Sequence, residues 1–290
     1  MTSVNSLSRG LKSRLLLTTA IGLGLCLPAL ASGDYVVDTP STTTNDGHTI
    51  NAFDTLTVTP SGSITTIGDD AVDFTADSVG ITVQPGGSIT TSGTGASGIY
   101  GVGNSNTVLN DGTIVTNDGS AHTIYLNGDE NVITNNGMLT TSGADSVGVF
   151  VRGTNPTVTN NGSISTSGYA TYGIFFLNGD VGTITNNGDV HTSGNGSNAI
   201  YALPNSVTVI NRGTLTTTGA DADALLAVGD AVEIENSGSI MTAGSNAGAI
   251  FTQGAGNEIT NSGKLVSQLN ASIFIAGDDS TLNLNAPSFL

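Results

Sequence analysis

The chain has 290 residues, 40 of them glycine; 37% are hydrophobic, 10% are charged and none is tryptophan. Six basic residues against 23 acidic ones give a formal net charge of −17, a balance that repels phosphate and excludes nucleic acid as a partner. The Ile and Val content is too high for a disordered chain, and its mixture with Gly, Asn, Thr and Ser suits short strands joined by turns.

Residues 1–31 read as a secretory signal. Arg9, Lys12 and Arg14 form a basic start, LLLTTAIGLGLCLPAL (15–30) is apolar, and Ala29-Leu30-Ala31 offers a small-x-small cleavage site. The apolar run is short for a spanning helix, and bulky Leu25 argues against lipoprotein processing at Cys26. Cleavage removes the only cysteine, so no disulfide framework is expected. It leaves Arg152, Arg212 and Lys264 against all 23 acidic residues. Residues 32–54 read as an N-terminal cap. In it Tyr35-Val36-Val37 and Thr49-Ile50 form a half coil, and the Thr-, Asn- and Gly-rich stretch between them is a loop.

Residues 55–290 repeat. TVTNNGSISTSG (157–168) has counterparts in VITNNGMLTTSG (132–143) and TITNNGDVHTSG (183–194). Its Gly recurs as Gly62, Gly87, Gly112, Gly137, Gly162, Gly188, Gly213, Gly238 and Gly263, in steps of 25 residues with one of 26, and a further step lands on Ser288. Three apolar columns keep the same phase. One runs Val58, Val83, Val108, Ile133, Val158, Ile184, Val209, Ile234, Ile259, Leu284. A second runs Ile64, Ile89, Ile114, Leu139, Ile164, Val190, Leu215, Ile240, Leu265, Leu290. The third runs Phe74, Ile99, Ile124, Val149, Ile174, Ile200, Leu225, Ile250, Ile275.

Within each repeat, short runs alternate with period two, as strands do. A repeat this short cannot bury a core alone, so successive repeats must stack. The pattern predicts an all-β protein: a single-stranded, right-handed parallel β-helix of about ten coils, with equivalent residues ~4.8 Å apart and a rod ~45–50 Å long. The last coil is incomplete, and its open edge suggests a fragment or a truncated reading frame.

Polar columns accompany the apolar ones. Asn110, Asn135, Asn160, Asn186, Asn211, Asn236 and Asn261 share inward parity at a corner, with Pro60 and Pro85 in the first two copies. Stacked amides there would bond from rung to rung and to turn backbone, a structural ladder. The repeating Gly fits a left-handed turn conformation. Thr66, Thr91, Thr116, Thr141, Thr166, Thr192, Thr217 and Thr242, then Ser267, form a second internal ladder.

The third strand carries the candidate binding residues. Tyr100, Tyr125, Phe150, Phe175, Tyr201 and Phe251, with Leu226 among them, sit one residue past the inward Ile and therefore outside. Asp77, Asn127, Arg152 and Gln253 continue that face, and the small Gly98, Gly148, Gly173, Ala199, Ala224 and Ala249 are expected to leave a shelf beside the rings. An exposed aromatic stripe can bind sugars or a partner protein. Its bland reading is mutual stacking that shields the strand.

The repeats ITNNGxIxTSG followed by GIYxxG resemble the passenger domains of Gram-negative autotransporters over residues 32–290. The resemblance implies export by the signal peptide, a right-handed parallel β-helix of the pectin lyase-like kind, and display on or release from the cell surface. It also implies a C-terminal outer-membrane barrel, for which this sequence has no run of alternating strands; without one, the chain would stay in the periplasm. The implied partners are surface glycans or proteins of a host or neighbouring cell, or further copies of the chain.

Catalytic signals are weak. The three cations form no Arg–Lys cluster, Asp69-Asp70 and Asp278-Asp279 each follow a Gly in a turn-like setting, and His48, His122 and His191 occupy unrelated phases. No GxSxG or GDSGS motif is present, nor the Ca²⁺-binding nonapeptide. The expectation is a non-catalytic protein with no cofactor and no metal. A carbohydrate-active β-helix, either a lyase or a hydrolase, is the alternative. Ice binding through Thr57/Thr59, Thr157/Thr159 and Thr183/Thr185 is a third, in an array broken by Leu109, Ile210, Glu233, Glu235 and Glu258.

Overall fold

A computed structural model describes residues 33–43 and 48–285; the signal-like segment with Cys26, and Ser288 and Leu290, lie outside the described residues. The described residues contain strands and turns and no helix. Each coil places one strand in each of three parallel sheets, of 11, 10 and 10 strands, and every strand pairs with its counterpart in the neighbouring coils. The result is a parallel β-solenoid of about 10 turns with ~25-residue spacing.

Period-two alternation sets the inside and the outside. In Thr157–Asn160 and Ser163–Thr166 the second and fourth residues are buried and the others half-buried. Parallel pairing then superimposes like residues. Ile133, Val158, Ile184, Val209, Ile234 and Ile259 form one stack on the first sheet. Leu139, Ile164, Val190, Leu215 and Ile240 form another on the second. These side chains are at most 1% exposed, each contributing the ~1.5–3 kcal/mol of a fully buried aliphatic group.

The N-terminal segment is more regular than expected. β1 (Asp34–Val37), β2 (Pro40–Thr43) and β3 (His48–Ile50) supply one strand to each sheet, pairing with 55–58, 63–66 and 72–74. β2 lies where a loop was expected. Ser41 stacks on Ile64 and is 4% exposed, so a hydroxyl there takes the place of an aliphatic core residue.

The register departs from constant spacing at three places. Val58 and Val83 stack beneath Asn110, while Leu56 and Ile81 stack beneath Val108. The corners Val58–Ser63 and Val83–Ser88 carry two more residues than Asn110–Thr113. Pro60 and Pro85 therefore belong to these longer corners, not to the Asn column. On the third sheet Val72, not Phe74, lies beneath Ile99, and Phe74 meets Gly101. Near the end, Ser267 still pairs with Thr242, but Ile273, not Ile275, continues the Ile250 column. The turn before Ile273 is two residues shorter, so Leu282 follows Ile259 and Leu284 pairs with Asn261.

The repeating glycine has a different cause from the one expected. None of Gly112, Gly137, Gly162, Gly188, Gly213, Gly238 or Gly263 has a positive φ. A Cβ on Gly137 would instead overlap the carbonyl oxygen of Gly112, and one on Gly162 that of Gly137. The corner backbones of successive coils pack too closely for any side chain. Left-handed residues occupy the other two turns, for example Ser105, Glu130 and Asn155 in one and Ser120 and Asp145 in the other.

Candidate functional site

Two internal ladders hold the corners around the site. Asn110, Asn135, Asn160, Asn186, Asn211, Asn236 and Asn261 are 0–2% exposed. Each amide donates to the side-chain oxygen of the next, at 2.6–2.8 Å. The same Nδ2 groups lean toward corner carbonyls, as Asn186 does to Gly188 at 3.1 Å. The stack starts on Val83, which has no amide to offer, so the Asn110 Oδ1 is unpartnered among the described residues.

The Thr column bonds to backbone carbonyls, mostly of its own coil, while Thr141 and Ser267 donate to Ala121 and Ala247 of the preceding coil at 3.3 and 2.8 Å. Thr91, Thr116, Thr217 and Thr242 donate to the carbonyls of Ala96, Ala121, Ala222 and Ala247 at 2.6–3.0 Å. A further buried set escaped the sequence pattern. Asn106, Asn131 and Asn257 are 0–1% exposed and accept N–H groups of the neighbouring coil, from Val79, Asn106 and Val232 at 2.7–2.9 Å. Val, Pro and Gly occupy the coils between them, so no ladder is visible in the sequence.

The third sheet brings the predicted aromatic residues together on its outer face. Tyr100 and Tyr125 stack at 4.8 Å and 3°, Phe150 and Phe175 at 4.9 Å and 19°, and Phe175 and Tyr201 at 5.0 Å and 11°. Tyr125 meets Phe150 edge-on at 5.1 Å. These separations match the ~4.8 Å rise between strands, so in-register pairing alone produces the stack. Leu226 interrupts it. Beyond Leu226, Phe251 stacks at 4.9 Å on Phe274, a ring that the shortened turn carried out of phase.

The rings are outside but half covered by one another; Tyr125 is only 8% exposed, whereas Phe274 is 50% exposed. Two further rings flank them. His122 lies 5.7 Å from Tyr125 and 5.0 Å from Phe150, and Tyr172 lies 5.0 Å from Phe175 and 5.2 Å from Tyr201. They share a column, three residues before each stripe residue, with Asp70, Ser97, Val147, Asn198, Asp223, Gly248 and Ala271. The varied chemistry of that column gave no repeat to follow.

The expected shelf is not where the small residues stand. A Cβ on Gly98, Gly148 or Gly173 would meet Ile114, Ile164 or Val190 of the second sheet, and Ala199, Ala224 and Ala249 are fully buried. These residues line an interior corner between two sheets. Asp77, expected to continue the outer face, is also displaced, since Thr75 is the residue that pairs with Val102.

Burial shapes the titratable groups along the face. It pushes His122 down to about 4, and the Nδ1 of His122 accepts the Val147 N–H at 3.1 Å. It pushes Asp70 up to about 6 despite the 2.5 Å hydrogen bond from Ser97 N–H. Burial also raises the phenols of Tyr100, Tyr172 and Tyr201, which keeps them neutral. Asp69 accepts the N–H of Asp70, a turn arrangement. Among the described residues no three of His, Cys, Asp and Glu gather as metal ligands, and there is no helix long and apolar enough to cross a membrane.

On the first sheet the outward Thr rows are interrupted as the sequence indicated, and Glu233 lies directly beside Glu258.

Fold and site together define a parallel β-solenoid whose third sheet displays a ladder of aromatic rings. Compared with family models, with curated proteins and with solved structures, the chain matches none.

Proposed function

We propose that this protein is the β-helical passenger of an autotransporter-like surface protein, and that it acts by adhesion or self-association without catalysis. The ring ladder carries this reading. It is a run of aromatic groups from Tyr100 to Tyr201, resumed beyond Leu226 by Phe251 and Phe274, on an otherwise Thr-, Asn- and acid-rich molecule, and such apolar patches rimmed by polar residues mark interaction sites. Aromatic groups also supply much of the energy of protein contacts and of stacking on sugars. The basic-apolar-small pattern of residues 1–31 supports export, and the acidic surface favours a neutral or cationic partner.

The test replaces Tyr125, Phe150 and Phe175 with Ser and measures attachment to cells, concentration-dependent self-association and melting temperature. Both attachment and self-association persisting, with only the melting temperature lowered, would show that the ladder merely shields the strand. Loss of either in a folded variant is the expected outcome.

A further inference from the structure

The column beside the rings is bulky along the middle of the stripe, where His122, Val147 and Tyr172 fill it, and it shrinks to Gly248 and Ala271 toward the far end. There a groove of about 250 Å³ opens. Gly248 and Ala271 form its floor, and the stacked pair Phe251–Phe274 forms one wall. Asn246 and Asn270 face it from the turn, and Asp223 completes the lining.

The polar groups are held in fixed roles. Asp223 accepts the Gly248 N–H through Oδ1 at 2.6 Å, which leaves Oδ2 as an acceptor. Asn246 donates to Asp221 at 3.1 Å, which leaves its Oδ1 as an acceptor. Asn270 accepts the Ala271 N–H at 2.9 Å, which leaves its Nδ2 as a donor. Two acceptors and a donor around an aromatic wall match adjacent hydroxyls on an apolar ring. No cation lines the groove to hold an anion. Burial, with Asp221 adding to it, raises the Asp223 carboxyl, so that group serves better as a hydrogen-bonding partner than as a counter-ion. The volume lies just under the ~300–1,000 Å³ of whole-ligand sites, room for one ring-sized unit.

We propose that this groove binds one neutral pyranose unit of a glycan, with Asp223 and Asn246 accepting from its hydroxyls, Asn270 donating to one, and the Phe251–Phe274 pair against its apolar face. The proposal rests on the reading of the ring face as a binding surface, and it adds a ligand class and a subsite.

The full chain is mixed with methyl glucosides, galactosides, mannosides and N-acetylglucosaminides, and binding is read by saturation-transfer NMR. At least one glycoside should give a signal. Ala271→Tyr places a ring where Tyr172 already sits in its own coil, and should abolish that signal without lowering the melting temperature. Asp223→Asn, which keeps the shape, should weaken binding about tenfold, and stands as the second variant should Ala271→Tyr fold poorly. The triple Ser variant of Tyr125, Phe150 and Phe175 should keep the signal, because those rings lie in other coils. No signal from any glycoside overturns the groove, even where ring-dependent cell attachment is intact. A signal that survives Ala271→Tyr and Asp223→Asn but falls with the triple Ser variant also overturns it, and leaves the wider ring face standing.

Discussion

Replacing Asn160 with Val tests the internal ladder. Val is already the residue of this column at Val58 and Val83, so its shape is tolerated there. The change removes the acceptor of the Asn135 amide and the donor to the Asn186 oxygen, bonds of 2.7 and 2.8 Å in a column that is almost fully buried. Each buried polar atom left without a partner costs ~1–3 kcal/mol. Asn135 keeps weak contacts to the Gly137 and Ser163 carbonyls at 3.4 and 3.3 Å, which places the total toward the lower end, at ~2–4 kcal/mol. Asn110→Val is the internal control. It orphans the Asn135 oxygen but also removes the Asn110 oxygen that has no partner already, so its net cost should be within ~1 kcal/mol. The assay is urea unfolding followed by circular dichroism on both variants. Equal midpoints for the two would refute the rung-to-rung account.

Gly137→Ala should cost ~1–3 kcal/mol from overpacking against Gly112, whereas Gly119→Ala, whose nearest neighbour would be 3.3 Å away, should be nearly neutral in the same assay. Val181 is a half-exposed β-branched residue at φ 58°, so Val181→Asn should raise stability by ~1 kcal/mol; an unchanged urea midpoint would contradict this. His122 is neutral in the folded chain down to about pH 4 but protonates near 6.5 when unfolded, so stability is full above pH 6.5 and falls as pH drops toward 4. The loss reaches about 3 kcal/mol at 1.36 kcal/mol per pH unit. Asp70, raised to about 6, acts in the opposite sense, losing stability as pH rises from 3.8 to 6, and cancels when wild type is compared with His122→Asn. The stability of His122→Asn relative to wild type should therefore rise between pH 7 and pH 4, and a constant difference would count against the buried neutral imidazole.

The solenoid was legible because parallel stacking imposes one phase on every column, so Ile133 through Ile259 and the Asn series declare themselves by spacing alone. Spacing fails where insertions and deletions compensate. Val58 and Val83 kept the 25-residue count to Val108 only because an extra pair of residues in one turn is balanced by a shorter corner later. The same blindness hid Phe274, two residues out of phase with Phe251. Strand parity puts the rings on the outer face, where stacking leaves Tyr125 only 8% exposed, but it misplaced Gly98 and Ala199, which stand just before their strands where the chain turns a corner and parity no longer applies. The His122–Tyr172 column was illegible because it is set by geometry, and its residues share no chemistry.

Whether the ring-bearing face is the face that binds is tested most directly by blocking one face at a time. In a Cys26→Ser background, Asn127→Cys places a thiol on the outer face of the third sheet, two residues past Tyr125. Thr134→Cys places one in the next strand along the chain, on the outer face of the first sheet, at a comparably half-buried position. Each is coupled to a bulky maleimide, and attachment to cells is counted. Loss of attachment for the label at 127 and full attachment for the label at 134 is the predicted result; attachment unaffected by the label at 127, or lost equally with both, would contradict the account.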